Sequence, residues 1–370
     1  MIYFDNAAST PLSQKVKAVL TEEMEHFANP SSLHRLGFEQ EKRLKKAREI
    51  VARSIGALPE EVFFTSGGTE ADNLAILGAA KKLRRRGNRI LAANSEHHAV
   101  TECLSFLEKE GFEVVYLSTK GGALSEEEIR EKANDKTILA LCMHTNNETG
   151  ARYDVKMLSR VVKEKSPHAL IFCDGVQGYL KTPFAVKNLG VDLLSLSSHK
   201  ICGPKGVGAL YMKKGTALPP QMLGGGQEKG IRSGTENLLG ILGFAAAAEE
   251  GFASLSQNLE KMAEIRNMIL EEVKENPKIC PNIPSDPSCH ILSLQVKGFR
   301  SEVLLHTLSQ KDVFVSSGSA CSSHSGKSGV LSAFGLTNSE ADCTIRLSFS
   351  PLSTLEEAKD FCKILKEIVR

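Results

Sequence analysis

The stretch Val191–Met212, VDLLSLSSHKICGPKGVGALYM, decides how this chain folds. Two strand-like apolar runs, Val191–Ser197 and Gly206–Met212, enclose a segment in which Lys200 directly follows a histidine among serines and glycines. A surface lysine needs no such surroundings, whereas a lysine that must form a covalent bond needs a sheltered position. The stretch therefore predicts a reactive amine at the end of a buried strand.

Five further strand-like runs precede this stretch and alternate with helical patterns. They are Glu61–Ser66, Arg89–Asn94, Phe112–Leu117, Thr137–Cys142 and Ala169–Asp174. Short β-branched runs between helices are typical of βα units whose strands are buried on both faces. The sequence therefore predicts an α/β fold with a mostly parallel seven-stranded sheet flanked by helices.

The pattern changes towards the C-terminus. Leu238–Phe252 is typical of a core helix, and Phe252–Glu275 predicts a long helix. Three strand-like runs follow, namely Cys289–Val296, Asp312–Ser317 and Thr344–Ser350, and a helix is expected near Glu302–Ser309. We therefore expect a large domain at residues 13–255 and a smaller α+β domain formed by residues 1–12 and 256–370.

Composition restricts the functional class. The 370 residues are 41% apolar and 24% charged with a net charge of +2, which is typical of a soluble globular protein. This small net charge argues against nonspecific binding of nucleic acid. The basic run Lys81–Gly87 predicts the solvated last turn of a helix, with a polyanion site as the alternative. The nine cysteines form no C-x-x-C pair, and neither a signal peptide nor a spanning apolar run is visible, so we expect a reducing cytoplasm and no membrane.

The segment Thr65–Asn73, TSGGTEADN, combines a strand end, a Gly-Gly turn and a helix expected to begin at Thr69. Bare backbone N–H groups at a helix start form an anion site, although an ordinary helix cap gives the same pattern. The lysine of a Walker loop is missing. The segment therefore predicts an anion site of another kind.

Other strand ends add polar groups. Asp174 ends one strand, His144–Gly150 ends another, and Asn94–Val100 brings two histidines to a helix start. Adjacent histidines on a helix point apart and no H-E-x-x-H spacing exists, so no metal site is expected. An anion site, a carboxylate, a histidine and a sheltered lysine at the carboxyl ends of one sheet fit pyridoxal 5'-phosphate.

On these motifs the chain resembles a cysteine desulfurase of the NifS/IscS-like group, within the class V aminotransferase family of pyridoxal-phosphate enzymes (fold type I). Similar segments run in the family order over nearly the full length: Tyr3–Pro11, Asn29–Gly37, Thr65–Asn73, Glu96–Val100, Asn146–Gly150, Asp174–Gln177, Ser197–Tyr211, Gly224–Asn237, Ser316–Ser323 and Ile345–Ser350.

The resemblance implies a role for each matching position. Lys200 would bind the cofactor covalently, Asp174 would pair with the pyridine nitrogen, and His97 would stack on the ring. The other cofactor contacts would be Gly68, Thr69, Ser197 and His199 at the phosphate, Gln177 at the phenolic oxygen, Asn147, and Thr235 at the phosphate of the partner subunit in a homodimer. Asn147 and Arg346 would hold the α-carboxylate of L-cysteine, a task that suits a bidentate guanidinium.

The sulfur-bearing residue implied by the resemblance is Cys321, in a loop of small polar residues at about 316–330 that is expected to be mobile. Its thiolate would take the sulfur of L-cysteine as a persulfide and leave L-alanine. Lys200 would carry the α-proton and His97 would help to move protons. His324 and Cys343 raise the alternative of a metal site with Cys321, for which half a ligand set is a weak signal.

The chain departs from longer members of the family. It ends at FCKILKEIVR without the C-terminal extension, which argues against a stable complex with an iron–sulfur scaffold protein, and Gly175 and Lys229 replace the usual alanine and arginine. The sulfur acceptor is left open between iron–sulfur cluster assembly, tRNA thiolation and thio-cofactor synthesis. The alternative functions are a related pyridoxal-phosphate C–S or C–Se lyase, a class V aminotransferase, and a degenerate, non-enzymatic binding module.

Overall fold

The computed structural model describes residues 1–317 and 329–369 of the chain. The strands are β1 Ile2–Tyr3, β2 Val62–Thr65, β3 Arg89–Ala93, β4 Glu113–Leu117, β5 Thr137–Leu141, β6 Leu170–Asp174, β7 Leu193–Ser197, β8 Gly208–Met212, β9 Ile279–Asn282, β10 Ile291–Val296, β11 Val313–Phe314, β12 Ser316–Ser317 and β13 Thr344–Ser348. The helices are α1 Gln14–Glu23, α2 Arg35–Ser54, α3 Gly68–Leu83, α4 His98–Lys109, α5 Glu126–Lys132, α6 Val155–Lys165, α7 Val186–Leu189, α8 Leu238–Ala253, α9 Leu255–Val273, α10 Ser301–Ser309, α11 Gly329–Phe334, α12 Asn338–Asp342 and α13 Leu355–Ile368.

The central sheet has seven strands in the order β2-β8-β7-β6-β5-β3-β4. The pairs from β7 to β4 are parallel, whereas β8 runs antiparallel to both β7 and β2. The link between β7 and β8 is too short for a parallel crossover, so β8 must return antiparallel. Strands β5 to β8 are buried along their whole length, with an apolar cluster on each side of the sheet. The predicted mostly parallel seven-stranded sheet is confirmed.

The C-terminal part contains an antiparallel sheet in the order β12-β13-β10-β9. The N-terminal strand β1 pairs in parallel with β11, where Ile2 lies opposite Val313. A third apolar cluster joins Phe4 to α9, β10, β13 and α13, and the ring of Phe4 packs edge-on against Phe349 at 5.1 Å and Phe361 at 5.8 Å. The two ends of the chain therefore meet in one core, while the division into domains at residues 12/13 and 255/256 stays a prediction.

The two helices predicted at Leu238–Phe252 and Phe252–Glu275 are present as α8 and α9. Phe252 belongs to α8, and α9 begins at Leu255, three residues later than predicted, after a bend of 76°. The two helices pack into different cores: α8 buries Phe244 and its alanines beside the central sheet, whereas α9 buries Ile265 and Ile269 in the C-terminal cluster.

Among the described residues no single helix is both long and apolar enough to cross a membrane, and the one pair that meets those requirements jointly is the bent pair α8 and α9.

Candidate active site

A cavity of about 470 Å³ lies at the carboxyl ends of the parallel strands, where ligands of such sheets collect. Ten of the residues predicted from the sequence line it, namely Gly68, Thr69, His97, Asn147, Asp174, Gln177, Ser197, His199, Lys200 and Arg346. The structure adds lining residues that the motifs did not single out: Asp5, Ala7, Ala8, Asp72, Met143, Thr145, Val176 and Ser316.

Two predicted residues are not among those that line the cavity. Thr235 is exposed in the segment before α8, and nothing in a single copy of the chain tests its expected role towards a partner subunit. Cys321 lies outside the described residues, as does His324. The roles of both Thr235 and Cys321 therefore stay predictions.

Lys200 ends a short 3-10 turn that directly follows β7. Its Nζ donates hydrogen bonds to the backbone carbonyls of Ala7 at 2.6 Å and Ala8 at 2.9 Å. Thr10 holds this N-terminal segment to the lysine turn, since its N–H and hydroxyl both donate to the His199 carbonyl at 2.9 Å. The amine is thus positioned by a segment that lies 193 residues earlier in the chain at Ala7 and 192 at Ala8.

Asp174 is the last residue of β6 and is buried. Its Oδ1 accepts a hydrogen bond from the Val176 N–H at 2.9 Å. Burial raises the pKa of the Asp174 carboxyl, and the nearby charges of His97 and Lys200 act in the opposite direction. A buried carboxylate that opens onto the cavity beside His97 and Lys200 suits a protonated ring nitrogen.

The start of α3 has the features of an anion site. Its N-cap is Gly67, which has no side chain to cap the first N–H groups of the helix. A Cβ on Gly68 would lie 2.8 Å from Cγ2 of Val176, so glycine is needed for this close approach. Gly68, Thr69 and Ser197 line the cavity at this helix start, and uncapped N–H groups at the start of a helix fit a phosphate.

Both cavity histidines favour the neutral form. Burial lowers the pKa of His199 to about 4, with further contributions from Lys200 and Lys181. Burial also lowers the pKa of His97, although Asp174 opposes the shift. His97 is the N-cap of α4, and its Nδ1 accepts the Ala99 N–H at 3.1 Å, so the proton of the neutral ring lies on Nε2.

Arg346 lies on β13 and is only 6% exposed. Its Nη1 donates to the Asn147 carbonyl at 2.9 Å, and its Nη2 pairs with Asp5 Oδ1 at 2.6 Å. Its Nε is buried without a hydrogen-bond partner among the described residues, as is Oε1 of Gln177, whose Nε2 donates to the Ala7 carbonyl at 2.8 Å. Arg346 and Gln177, which both line the cavity, thus each have a polar atom available for a hydrogen bond to a bound ligand.

These residues fit pyridoxal phosphate. The lysine offers the amine, Asp174 the carboxylate for a ring nitrogen, Gln177 an amide for a ring oxygen, and the start of α3 the donors for a phosphate. Within residues 1–317 and 329–369 no group of three or more histidine, cysteine, aspartate or glutamate side chains is placed to hold a metal ion. Cys343, one member of the alternative metal set, contacts the Glu340 carbonyl through its thiol.

The fold and this site define a member of a known enzyme class. A family profile described as aminotransferase class-V matches residues 2–361, and the chain therefore belongs to the class-V aminotransferase family.

Comparisons with individual proteins show which members of this family the chain is similar to. The chain is 39% identical over 373 residues to the cysteine desulfurase IscS of Dictyoglomus turgidum, covering 100% of this chain and 94% of the relative. A solved structure titled NifS-like protein matches with a TM-score of 0.94 and 34% identity, covering 100% of this chain and 99% of the other. The structure of SspA in complex with cysteine matches with a TM-score of 0.85 and 32% identity, covering 96% and 100%. The resemblance to NifS/IscS-like proteins is confirmed.

Proposed function

We propose that the protein is a pyridoxal-phosphate-dependent cysteine desulfurase that converts L-cysteine to L-alanine and transfers the sulfur to Cys321. The observation that carries this proposal is the gathering of ten predicted residues, among them Lys200, Asp174 and Arg346, around one cavity. The names of its relatives, IscS cysteine desulfurase and a protein solved with bound cysteine, support the same activity.

Pyridoxal phosphate supplies an aldehyde and an electron-withdrawing ring. Asp174, whose carboxylate is fixed by the Val176 N–H, would pair with the ring nitrogen. The neutral His199 and the N–H groups at the start of α3 would bind the phosphate. Lys200 would be the attachment point, and the Ala7 and Ala8 carbonyls hold its amine at the cavity wall.

Substrate orientation falls to Arg346 and Asn147. Nη1 and Nη2 of Arg346 are already engaged by the Asn147 carbonyl and by Asp5, so the guanidinium plane is fixed before a substrate arrives. The α-carboxylate of L-cysteine binds at this guanidinium, beside the unmatched Nε. Lys200 and His97 both line the cavity, so the amine of Lys200 would accept the α-proton and Nε2–H of His97 would serve as a donor to the substrate.

The sulfur step would fall to Cys321. Its thiolate forms an S–S bond with the substrate sulfur while the substrate C–S bond breaks, and the electron pair of that bond stays with the carbon skeleton. Protonation of that skeleton gives L-alanine, and Cys321 is left as a persulfide. A sulfur-acceptor protein, reached in a reducing cytoplasm, would take the sulfur onwards.

The homodimer is part of the proposal. The segment that carries Thr235 also carries Leu223, which is 85% exposed. A groove of about 590 Å³ shares Thr69 and His97 with the cavity and includes the exposed ring of Phe106. An exposed apolar segment and an apolar groove beside the phosphate site fit the exchange of Thr235 between two copies. Light scattering of the native protein and of Leu223→Asp tests this, and a native monomer would contradict it.

The decisive experiment for the activity replaces Cys321 by serine. Cys321→Ser should keep the cofactor, shown by a pyridoxyl group on Lys200 after borohydride reduction and mass spectrometry, yet lose alanine and sulfide formation from L-cysteine. The matched control is Cys280→Ser on β9, which should retain full activity because Cys280 is not among the cavity residues. Sulfide release that survives in Cys321→Ser, or a Lys200 without the pyridoxyl group, would overturn the proposal.

A further inference from the structure

Three carboxyl groups lie buried together beneath the cavity. Asp72 on α3 is 2% exposed, Glu96, three residues after the end of β3, is 5% exposed, and Asp174 at the end of β6 is 6% exposed. The predicted site includes only Asp174. Asp72 also lines the cavity, and no cofactor or substrate role has been given to it above.

The three carboxyl groups have different surroundings. Asp174 lies near the charges of His97 and Lys200 and accepts the Val176 N–H. Glu96 accepts the Met143 N–H through Oε1 at 2.7 Å. Within the described part of the chain, the groups that shift the pKa of Asp72 are the carboxyls of Asp174 and Glu96 and the hydroxyl of Ser195. Asp72 in turn contributes to raising the pKa of the Cys103 and Cys173 thiols. None of these groups is a cation.

Ser195 connects Asp72 with Asp174. It lies opposite Asp174 in the register of β6 and β7, and its carbonyl accepts the Gly175 N–H at 3.1 Å. Its side chain is completely buried and lies within interaction range of both carboxyl groups. Neither its Oγ nor Oδ1 of Asp72 has a well-formed hydrogen bond among the described residues, so both atoms are available to bond when the cavity is filled.

Electrostatics decides which carboxyl carries a proton. Three neighbouring buried carboxylates repel one another strongly, and protonation relieves the repulsion. Burial, followed by repulsion from Asp174, raises the pKa of both Asp72 and Glu96 well above their ordinary values. At Asp174 the same shift in pKa is opposed by His97, by the Val176 N–H and by the charge of Lys200. Asp72 and Glu96 therefore each carry a proton, and the negative charge lies on Asp174.

We propose that Asp72 is a positioning residue that acts as a neutral carboxylic acid, donating to Ser195 Oγ while the Ser195 hydroxyl donates to the Asp174 carboxylate. The chain of two hydrogen bonds fixes the Asp174 carboxylate and stabilises its charge opposite the ring nitrogen of the cofactor. The inference rests on the proposed function for the presence of pyridoxal phosphate, and it adds two residues, Asp72 and Ser195, to the machinery that holds the cofactor ring.

The test follows the ring nitrogen of ¹⁵N-labelled pyridoxal phosphate by NMR in the loaded protein across a range of pH. Asp72→Asn keeps a donor to Ser195 and changes no charge, so the ¹⁵N signal of the ring should stay the same. Asp72→Leu and Ser195→Ala each remove the chain of hydrogen bonds that stabilises the Asp174 carboxylate, so Asp174 becomes more basic and draws the shared proton away from the ring nitrogen. The ¹⁵N signal should then shift towards that of an unprotonated ring nitrogen, with the ratio of protonated to unprotonated ring roughly tenfold lower, as expected for the loss of one hydrogen bond to a charged group.

Two results would overturn the inference. A shift in Asp72→Asn as large as that in Asp72→Leu would mean that Asp72 carries a charge, and an unshifted ring nitrogen in both Asp72→Leu and Ser195→Ala would mean that no relay exists. Ser195→Ala keeps the test open if the leucine variant fails to fold. The readout does not depend on sulfide release, so failure of the desulfurase proposal at Cys321 is distinguishable from failure here.

Discussion

Arg346 and Asp5 form an ion pair of 2.6 Å inside the cavity, although 341 residues separate them in the chain. Asp5 follows β1, which pairs with β11, and Arg346 lies on β13. The β1–β11 pairing and the C-terminal core thus place a carboxylate against the guanidinium from one side. A substrate carboxylate would therefore bind to a guanidinium whose orientation is already fixed and whose positive charge is partly compensated by Asp5.

Arg346→Lys should raise the KM for L-cysteine with a smaller effect on kcat. A lysine is a point charge on a flexible stem and does not hold Asp5 and a substrate carboxylate in one plane. The loss of a hydrogen bond to a charged group is worth about 1.5–3 kcal/mol, which corresponds to a KM roughly 10- to 150-fold higher. Steady-state rates of alanine formation measure both constants. Arg152→Lys is the control, since Arg152 pairs with Asp286 outside the cavity lining and its KM should not change. An unchanged KM in Arg346→Lys would remove Arg346 from the substrate site.

His199→Gln should weaken cofactor binding by the same factor at about pH 6 and about pH 8. Because the pKa of His199 is lowered to about 4, its ring is neutral throughout this range and acts as a neutral hydrogen-bonding group. We expect the loss of one such bond to weaken affinity roughly tenfold. Cofactor titration of the apoprotein gives the ratio of native to variant affinity, in which the titration of the phosphate itself cancels. A ratio that grows several-fold towards the lower pH would show that His199 binds the phosphate as a cation.

The strand ends made most of this site predictable. Gly68, His97, Asp174 and Lys200 each occur in a motif at the end of a strand, and parallel strands bring those ends to one edge. The Ala7 and Ala8 carbonyls were not predictable in this way, because a backbone oxygen has no residue signature and its partner is remote in sequence.

Asp72 did carry a signal in the sequence. It follows Gly68 by four residues, and positions i and i+4 of a helix share one face, so the anion site at the start of α3 already pointed to it. The sequence also divided the helical region at Phe252 into α8 and α9, but it did not give the bend of 76° between them.

Asp72→Asn should stabilise the cofactor-free protein, and by more at higher pH. The folded-state pKa of Asp72 is raised, so its contribution is fully favourable below the unfolded value of 3.8 and is lost as the pH rises through the folded value. Asparagine carries no such loss, and each unit of elevation corresponds to about 1.4 kcal/mol. Urea unfolding of apoprotein at about pH 5 and about pH 8 measures the difference in free energy. A gap between variant and native protein that is equal at both pH values would show that Asp72 is already ionised in the folded protein at the lower pH.

Gly68→Ala should weaken the binding of pyridoxal phosphate while the protein stays folded. The added Cβ would lie 2.8 Å from Cγ2 of Val176, so either the valine or the start of α3 must move, and the N–H groups shift away from the phosphate. The loss of one charge-assisted hydrogen bond predicts an affinity roughly 10- to 100-fold lower, measured by titrating apoprotein with cofactor. The matched control is Gly78→Ala on the same helix, ten residues and about 15 Å further along, which should leave cofactor affinity unchanged. Affinity within about twofold of the native value in Gly68→Ala would mean that the phosphate does not lie at the start of α3.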